Sequence, residues 1–404
     1  NGYQILQLTH TGNHRNARLD AGDDPAWAGY AVWEGLEGAT WQVWMYNGKV
    51  APVQISSAST DCTKPAISHG QVVWLAAGSK NKQQVYLYDG TQTVVVSAAS
   101  VTIGGKDGYR LNQGALNPDI HAGRIVWQGW DNQDRVAPLN VLQWSIYFYN
   151  SIDGTYKTLS DSKTYRKFDD RRPQVWEDKV VWESNISATT ANKDNWDIYF
   201  YNGQSVSVWT YSSGKDLNPR IRNGKGCYQT FLNGTLQIVR RDGSNQYGGQ
   251  AQTVSNSSNT ALQPEIDGWG RMAWREFEGG RWVIKFFDGT LPMRMVCPSD
   301  GLGVLNDQTA PRIWGGKIVW QVANTLSHMT YQQICLWDGT QAKPITSDLF
   351  VNSSPDINND TICFLKGSRT VQQVFIWKDG QAIPVTDSAP VKQDPRTCDG
   401  RVSW

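Results

Sequence analysis

The sequence lacks any long apolar run, and its charges almost cancel. No segment approaches the roughly 20 consecutive apolar residues that a membrane-spanning helix needs. The 38 basic and 37 acidic side chains leave a formal net charge of +1, which gives no electrostatic case for a nucleic-acid partner or an anionic membrane. No signal peptide is visible either, because Asn1 leads directly into a β-like segment, as expected of a processed or trimmed chain.

Signatures of metal binding and redox chemistry are also missing. The six cysteines form no CxxC pair and show none of the Cys/His spacings of zinc sites. Cys227 and Cys363 fall in strand-like segments, where we expect buried thiols. His69 and His121 fall in equivalent turns of consecutive repeats and could approach each other. They form either a two-histidine metal site without a third ligand or a pair of exposed turn residues, so the sequence predicts no cofactor.

No basic patch stands out from the rest of the chain. The densest basic stretch runs from Lys163 to Arg172, and Asp161, Asp169 and Asp170 lie among its cations. Mixed charge of this kind is typical of a solvated segment. The stretch is therefore predicted to be a solvated loop.

What the sequence does contain is an internal repeat. Nine times a proline, an apolar pair, a small turn and a β-branched pair lead to an aromatic residue. The copies end at Trp33, Trp74, Trp127, Trp182, Tyr228, Trp274, Trp320, Phe364 and Trp404. The aromatics are about 40 to 55 residues apart, a period typical of solenoids, propellers and arrays.

A second signature follows each copy except the last: an alternating aromatic strand closed by Asp-Gly or Asn-Gly. Examples end at Gly48, Gly90, Gly203, Gly289 and Gly339. This dipeptide predicts a hairpin with a type I′ turn, in which both central residues have positive φ. A short strand rich in Val, Ile and Thr comes next. The repeat unit therefore consists of strands A, B, C and D, with strand A starting at the proline.

Stacking of such units covers the two faces that a lone four-stranded sheet would expose, and the aromatics that end strand B are expected to fill the space between units. The sequence predicts an all-β propeller of four-stranded blades. It has about nine repeats: eight complete blades and one split blade formed by both termini. Residues 1–404 would form a single domain whose N-terminal strand closes the last blade, or part of a longer chain. An open β array that continues further is the alternative.

The unit resembles the TolB-like propeller repeats of bacterial periplasmic and surface proteins. The resemblance rests on the P-x-I start of strand A, the VVW motif of strand B, and IYFYNG (198–203) followed by a strand that ends in Ser or Thr. It covers essentially the whole chain and concerns the fold. It implies an extracytoplasmic propeller, located outside the cell, at the cell surface or in the periplasm, that binds a partner.

Candidate ligand-binding residues lie in the two longest connections between strands B and C, because loops on a rigid scaffold usually carry binding sites. Both loops combine tryptophans with carboxylates, and tryptophan faces beside carboxylates are typical of sugar binding. The candidates are Trp130, Asp131, Asp134 and Trp144 in the first loop, and Asp194, Trp196 and Asp197 in the second. The alternative is that Trp144 and Trp196 start strand C and pack on the neighbouring blade. Asp194 and Asp197 could hold Ca²⁺, although two carboxylates fall short of the six to eight oxygens it needs.

The resulting functional hypothesis is a non-enzymatic extracellular propeller that acts as a binding or scaffold module for protein or glycan partners. The second hypothesis is a carbohydrate-active enzyme (a glycoside hydrolase or lyase) or a lectin. No motif selects two acids at a fixed separation, so no catalytic residue is predicted. Terminal strands with exposed edges would also allow self-association.

Overall fold

The structure is a computed structural model, and its elements are almost entirely β-strands. It describes residues 6–9, 13–20, 25–57, 59–78, 82–97, 101–103, 106–109, 114–131, 143–160, 169–185, 195–210, 214–243, 249–255, 258–290, 294–295, 304–308, 311–326, 329–348, 350–368, 370–386 and 392–404. Within these ranges the one helical element is the short 3-10 helix Pro25–Trp27. No helix in the described part of the chain is long and apolar enough to cross a membrane.

The chain divides into two compact units. The N-terminal unit consists of Leu8–Gly224 and Gly243–Gly249, and the C-terminal unit of Asn1–Gln7, Lys225–Asp242 and Gln250–Trp404. A single domain over residues 1–404, closed by its N-terminal strand, stays a prediction.

Four-stranded antiparallel sheets, each with its strands in chain order, form the N-terminal unit. The first sheet comprises His14–Leu19, Ala31–Glu37, Thr40–Tyr46 and Val53–Gln54. The second comprises Cys62–Ser68, Gln71–Ala77, Gln83–Tyr88 and Thr93–Val95. The third comprises Ala115–His121, Arg124–Asp131, Gln143–Asn150 and Tyr156–Thr158. The fourth comprises Asp170–Trp176, Lys179–Ser184, Asp197–Tyr201 and Val206–Val208. A small pair, Val101–Ile103 with Lys106–Tyr109, and the strand Asp216–Arg222 complete the unit.

The C-terminal unit continues with the same type of hairpin. Its first strands are Lys225–Leu232, Thr235–Asp242 and Ala251–Thr253. A four-stranded sheet follows, with Ala261–Ile266, Met272–Glu278, Arg281–Phe287 and Arg294–Met295. The next strands are Val304–Gln308, Arg312–Trp314, Lys317–Leu326, Met329–Trp337 and Ala342–Pro344. A parallel bridge between Gln332 and Val351 links them to Val351–Asn358, Thr361–Gly367, Gln372–Lys378 and Gln381–Pro384. The last pair is Arg396–Cys398 with Arg401–Ser403.

The repeated proline lies inside the first strand of a sheet rather than at its start. In Cys62–Ser68, Pro65 follows Lys64, whose φ is 56°, and the register shifts there as in a β-bulge. An edge strand tolerates the missing N–H of proline at such a bulge. The first copy departs further: Pro25 begins the 3-10 helix, and the first strand of its sheet is His14–Leu19.

The predicted type I′ turns occur at a different place in the unit. In the turns that close the third strand, Gly90 and Gly339 have φ near 100°, as at the first central position of a type II′ turn. The aspartate before the glycine, such as Asp338, accepts two backbone N–H groups with its Oδ1. Pairs with positive φ at both residues instead join the first and second strands, as at His69 and Gly70.

The repeated aromatic lies in the middle of the second strand rather than at its end, and it fills the layer between neighbouring sheets, as predicted. Trp74 packs with Val32 and Val43 of the preceding sheet and is 1% exposed. Trp127, Trp182, Trp274, Trp320 and Phe364 are buried in the same way. Each indole removes roughly 150 to 250 Å² of surface from water, about 4 to 6 kcal/mol of transfer free energy. Cys227 and Cys363 are also fully buried, as the sequence predicted.

Candidate functional site

Two of the predicted site residues face each other at one end of the third sheet. Trp130 and Trp144 are directly opposite in the strand register, and their rings meet edge to face at 4.9 Å between centroids. Both are half-buried, and Trp144 lies in the strand Gln143–Asn150, as the packing interpretation required. The backbone N–H of Trp144 donates to Oδ1 of Asp169, just before the fourth sheet.

Trp196 occupies the equivalent position in the fourth sheet, and one face of its ring is covered. Cζ of Arg171 lies 3.5 Å from the ring centroid, within the range of a cation–π contact. In the first sheet Arg15 covers Trp41 in the same way at 3.8 Å. The guanidinium therefore occupies a surface that the sequence had assigned to stacking on a sugar.

Asp197 is buried, and it accepts a side-chain hydrogen bond of a type that recurs along the chain. It is 1% exposed, and its Oδ1 accepts the hydroxyl of Thr210, which in turn accepts the N–H of Ile198. Glutamines accept the corresponding hydroxyl in other sheets: Gln42, Gln237, Gln333 and Gln373. Asp197 thus has an architectural role. Asp131 ends the strand Arg124–Asp131, and Asp134 and Asp194 lie outside the described residues.

The end of the basic stretch is a strand rather than a solvated loop, and it carries an arginine pair that the sequence analysis missed. Arg171 donates from Nε to Oε2 of Glu183 at 2.6 Å, and Arg172 donates from Nη1 to Oε1 of the same carboxylate at 3.2 Å. Glu183 is fully buried, whereas the side chains of Arg171 and Arg172 are 32% and 54% exposed. Both arginines directly precede Pro173, the repeated proline of the unit. This position in the repeat would have predicted that they lie in a strand.

The backbone conformation of Arg172 brings the two guanidinium groups together. Successive side chains of a regular strand point to opposite faces. Arg172 has a φ of 54° at the bulge before Pro173, so it reaches the same carboxylate as Arg171. This left-handed conformation belongs to the bulge of the repeat, because it also occurs before the proline at Lys64, Asn117, Asn218, Gln263 and Ser354. Arg172 also donates to Oδ1 of Asn218.

Glu183 belongs to a recurring link between neighbouring sheets. Its Oε1 accepts the backbone N–H of Asn218, a left-handed residue of the next first strand, at 2.7 Å. Glu34 accepts the N–H of Lys64 at the same distance and also binds Arg15. We call this contact the latch, and it fixes each carboxylate in place.

Several acids around the arginine pair are buried. Asp170, Asp197 and Asp216 are at most 2% exposed, whereas both guanidinium groups reach solvent. Burial raises the pKa of Asp170 to about 7, against the opposing effect of hydrogen bonds from Ser184, Ser160 and Trp182. Among these described charged groups, the arginines are therefore the ones in contact with solvent.

At the opposite ends of these strands, the predicted approach of two histidines is confirmed. The rings of His69 and His121 are 5.8 Å apart, and His121 stacks on Trp176 at 3.9 Å. Nδ1 of His121 accepts the N–H of Glu177, so a neutral ring keeps its proton on Nε2. Burial, followed by the nearby cations, lowers the pKa of His121 to about 4. His121 is thus a hydrogen-bond acceptor through Nδ1, and the described residues contain no group of three metal-binding side chains.

Comparison with known proteins gives structural similarity alone. No family model and no curated protein matches the sequence. The β-propeller domain of the Trilobed protease from Pyrococcus furiosus is similar, with a TM-score of 0.43 and 13% identity over 81% of this chain and 97% of that one. An acylaminoacyl peptidase from Pyrococcus horikoshii has a TM-score of 0.41 and 13% identity, covering 81% of this chain and 52% of its own. A structure of prolyl endopeptidases has a TM-score of 0.49 and 11% identity, covering 80% and 49%.

These similarities concern the fold, and the chain spans about half the length of the two whole peptidases. The prediction of an all-β propeller with four-stranded blades is confirmed. The interpretation as a non-enzymatic extracellular scaffold is wrong, because the similar structures are peptidases and a protease propeller domain.

Proposed function

We propose that this chain is the propeller module of a peptidase and that its N-terminal unit holds anionic segments of polypeptide. The binding groups are Arg171 and Arg172, oriented by Glu183. The peptidase part of the proposal takes the protease propeller domains described above as its model. The binding part depends on the geometry of this chain alone.

The observation that carries the proposal is that Glu183 binds two arginines, although the latch needs only one acceptor oxygen. An acceptor oxygen is enough to hold the N–H of the next sheet, and in the C-terminal unit Gln321 does so with a neutral carboxamide. Glu183 has a second oxygen that holds Arg171, and it binds Arg172 as well. Two exposed guanidinium groups on one buried carboxylate add nothing that the latch needs, so we assign them to a ligand.

Carboxylate is the ligand chemistry that suits these groups. A guanidinium has five N–H donors in a planar fork that matches a carboxylate. Arg171 uses its Nε for Glu183 and Arg172 one Nη1 hydrogen for each of its two partners, which leaves further donors for a ligand. Hydrogen bonds to charged groups contribute about 1.5 to 3 kcal/mol each, so a carboxylate held by both arginines would bind measurably in water.

The test is a titration of fluorescein-labelled peptides followed by anisotropy. The probe is a hexapeptide with three glutamates, and the reference is the same peptide with three glutamines and an amidated terminus. Arg172→Gln is expected to weaken binding of the acidic peptide about tenfold, which is the loss of one charged hydrogen bond. Arg15→Gln is the control, because Arg15 occupies the position of Arg171 on Glu34, where Asn16 stands in place of the second arginine.

Three outcomes are informative. Preference for the acidic peptide, lost in Arg172→Gln and kept in Arg15→Gln, supports the proposal. Equal binding of both peptides, or equal loss in both variants, overturns it. Hydrolysis of the acidic peptide by the native polypeptide that contains this chain tests the peptidase part separately, and absence of any cleavage would contradict that part.

Two finer features suggested by the sequence also remain proposals. The TolB-like character of the repeats and a location outside the cytoplasm are supported by the P-x-I, VVW and IYFYNG motifs. Self-association through terminal strands is a third proposal, which sedimentation over a dilution series tests. Fractionation of the source cells tests the location.

A further inference from the structure

We propose that Asn233 is a site of N-linked glycosylation and that the ring of Phe231 packs against the first saccharide of the glycan. The site lies on a hairpin of the C-terminal unit, formed by the strands Lys225–Leu232 and Thr235–Asp242. It is independent of the arginine pair. The modification requires passage of the chain through a compartment that holds the glycan donor, in keeping with the location proposed above.

The starting point is the distribution of Asn-x-Ser/Thr motifs, the triplet that serves as the acceptor of N-linked glycans. The sequence contains five, which begin at Asn185, Asn233, Asn256, Asn352 and Asn359. Asn256 lies outside the described residues. Transfer needs a carboxamide that an enzyme can reach, so burial and hydrogen bonding decide which of the other four can serve.

Three of these four asparagines are engaged in the fold. Asn352 is fully buried. Oδ1 of Asn185 accepts the backbone N–H of Asp169 at 2.6 Å. Nδ2 of Asn359, the atom that a glycan would modify, donates to Oδ1 of Asp399 at 3.1 Å. A glycan at any of the three would displace a contact of the folded chain.

Asn233 is instead presented at the tip of a hairpin. With Gly234 it occupies the two central positions of a type I′ turn, and their φ values are 51° and 85°. Both residues are exposed, and a Cβ added at Gly234 would meet no atom within 4 Å. Thr235, whose hydroxyl completes the motif, follows directly. Because the end of a hairpin opens at low cost, an enzyme can draw this triplet into its own site.

The reaction joins Asn233 to a lipid-linked oligosaccharide pyrophosphate. Nδ2 of Asn233 attacks the anomeric carbon of the first saccharide, and a C–N bond forms. The bond from that carbon to the pyrophosphate oxygen breaks, and the pyrophosphate leaves on its lipid. The amide loses one proton to a base of the transferase. No electrons are transferred, so the glycan donor is the one co-reactant needed.

Two exposed apolar side chains stand beside the acceptor. Phe231 is 46% exposed and Leu232 39%, and they precede Asn233 by two positions and one. A saccharide packed on Phe231 would remove apolar surface from water. The C–H groups of a saccharide are weakly positive, whereas the face of an aromatic ring is negative. The ring of Phe231 therefore suits one face of the saccharide nearest to Asn233.

The next sheet provides a matched control. Phe277 stands at the same position before a type I′ turn and is 42% exposed. The central residues of that turn are Gly279 and Gly280, with φ values of 60° and 83°. Gly279 takes the place of Asn233, so this second hairpin presents an equivalent exposed ring without an acceptor.

The first experiment tests whether the site is used. The protein is purified from its source and digested, and the peptide that contains Asn233 is analysed by mass spectrometry before and after treatment with peptide-N-glycosidase. We expect a glycan on most copies of this peptide, and none on the peptides with Asn185 and Asn359. Absence of a glycan at Asn233 overturns the proposal. Equal modification of all three asparagines overturns the selection of the site by the fold.

The second experiment tests the contact with Phe231, using chain secreted by a glycosylating host cell. The thermal midpoint should exceed that of Asn233→Gln by about 2 °C, the shift expected from one aromatic contact. In the Phe231→Val background the same comparison should give no difference, whereas Phe231→Tyr and Phe277→Val should preserve it. Each comparison is made within one background, so a loss of stability caused by Phe231→Val itself cancels. An equal glycan effect in the Phe231→Val background overturns the packing on Phe231.

Discussion

The two units make the same latch with different chemistry. In the N-terminal unit the acceptors are carboxylates, and Glu34 and Glu183 receive the N–H of the next sheet at 2.7 Å. In the C-terminal unit Gln229 and Gln321 receive it at 3.4 and 3.3 Å. Bonds to charged acceptors are shorter and stronger, which accounts for the difference in length.

A second position shows the same contrast. Asp170 and Asn352 both stand three residues before the proline of a first strand, and both are buried. Because the amide is sufficient for the fold in the C-terminal unit, the acid in the N-terminal unit adds a cost that the fold does not require. The proposed ligand site lies in the unit that carries these acids, and exchange of acids and amides tests whether they matter.

The largest effect is expected from Asp170→Asn at alkaline pH. The folded protein holds the proton of Asp170 up to about pH 7, whereas the unfolded chain releases it near 3.8. Stability contributed by this group is therefore complete below pH 3.8 and lost as pH rises to 7. The loss amounts to at most about 4 kcal/mol. In urea unfolding, the free energy of unfolding of the variant should equal that of the wild type near pH 4 and exceed it at pH 8. If the free energies of both proteins changed in parallel with pH, the prediction would be contradicted.

The next effect is expected from Glu183→Ala. This change removes the latch acceptor and leaves two guanidinium groups beside an apolar cavity, at a cost of about 3 kcal/mol, because both arginines are partly solvated. Gln321→Ala, the control, removes one neutral acceptor and should cost about 1 kcal/mol. Urea unfolding measures the stability of both variants. Equal losses of unfolding free energy would mean that the charge of Glu183 does not contribute to stability.

A smaller effect is expected from the reverse exchange, Gln321→Glu. The new carboxylate would keep the N–H of Ser354 as a donor but would lie in a half-buried position built around an amide. We expect a loss of about 1 to 2 kcal/mol at pH 7 that disappears below pH 4, when the acid is protonated. A variant as stable as the wild type at both pH values would show that the C-terminal unit accepts the charged latch equally well.

The smallest effect is expected from Glu183→Gln. The carboxamide keeps an acceptor for the N–H of Asn218, as Gln321 does for Ser354, so the loss in unfolding free energy should stay below about 1 kcal/mol. A loss comparable to that of Glu183→Ala would show that the ion pair, rather than the latch, holds these sheets together.

The sequence predicted the repeat and the buried aromatics well because both follow from apolar patterning. It misplaced the first strand of the first sheet, since Asn16 there precedes Ala17 where other copies have proline. It also assigned Arg171 and Arg172 to a solvated loop. That assignment considered the local density of charges but not the position of both arginines relative to the proline of the repeat. Trp144 and Trp196 were identified by residue type, but the guanidinium over Trp196 comes from a strand residue that had been assigned to a loop.

The buried indoles in the layers between sheets give the molecule a set of internal optical reporters. Trp74, Trp127 and Trp182 lie in successive layers of the N-terminal unit, and Trp274 and Trp320 in layers of the C-terminal unit. Emission from each shifts to longer wavelength when its own layer admits water. Loosening of one layer can therefore be followed by the fluorescence difference between the parent protein and the variant in which phenylalanine replaces that tryptophan.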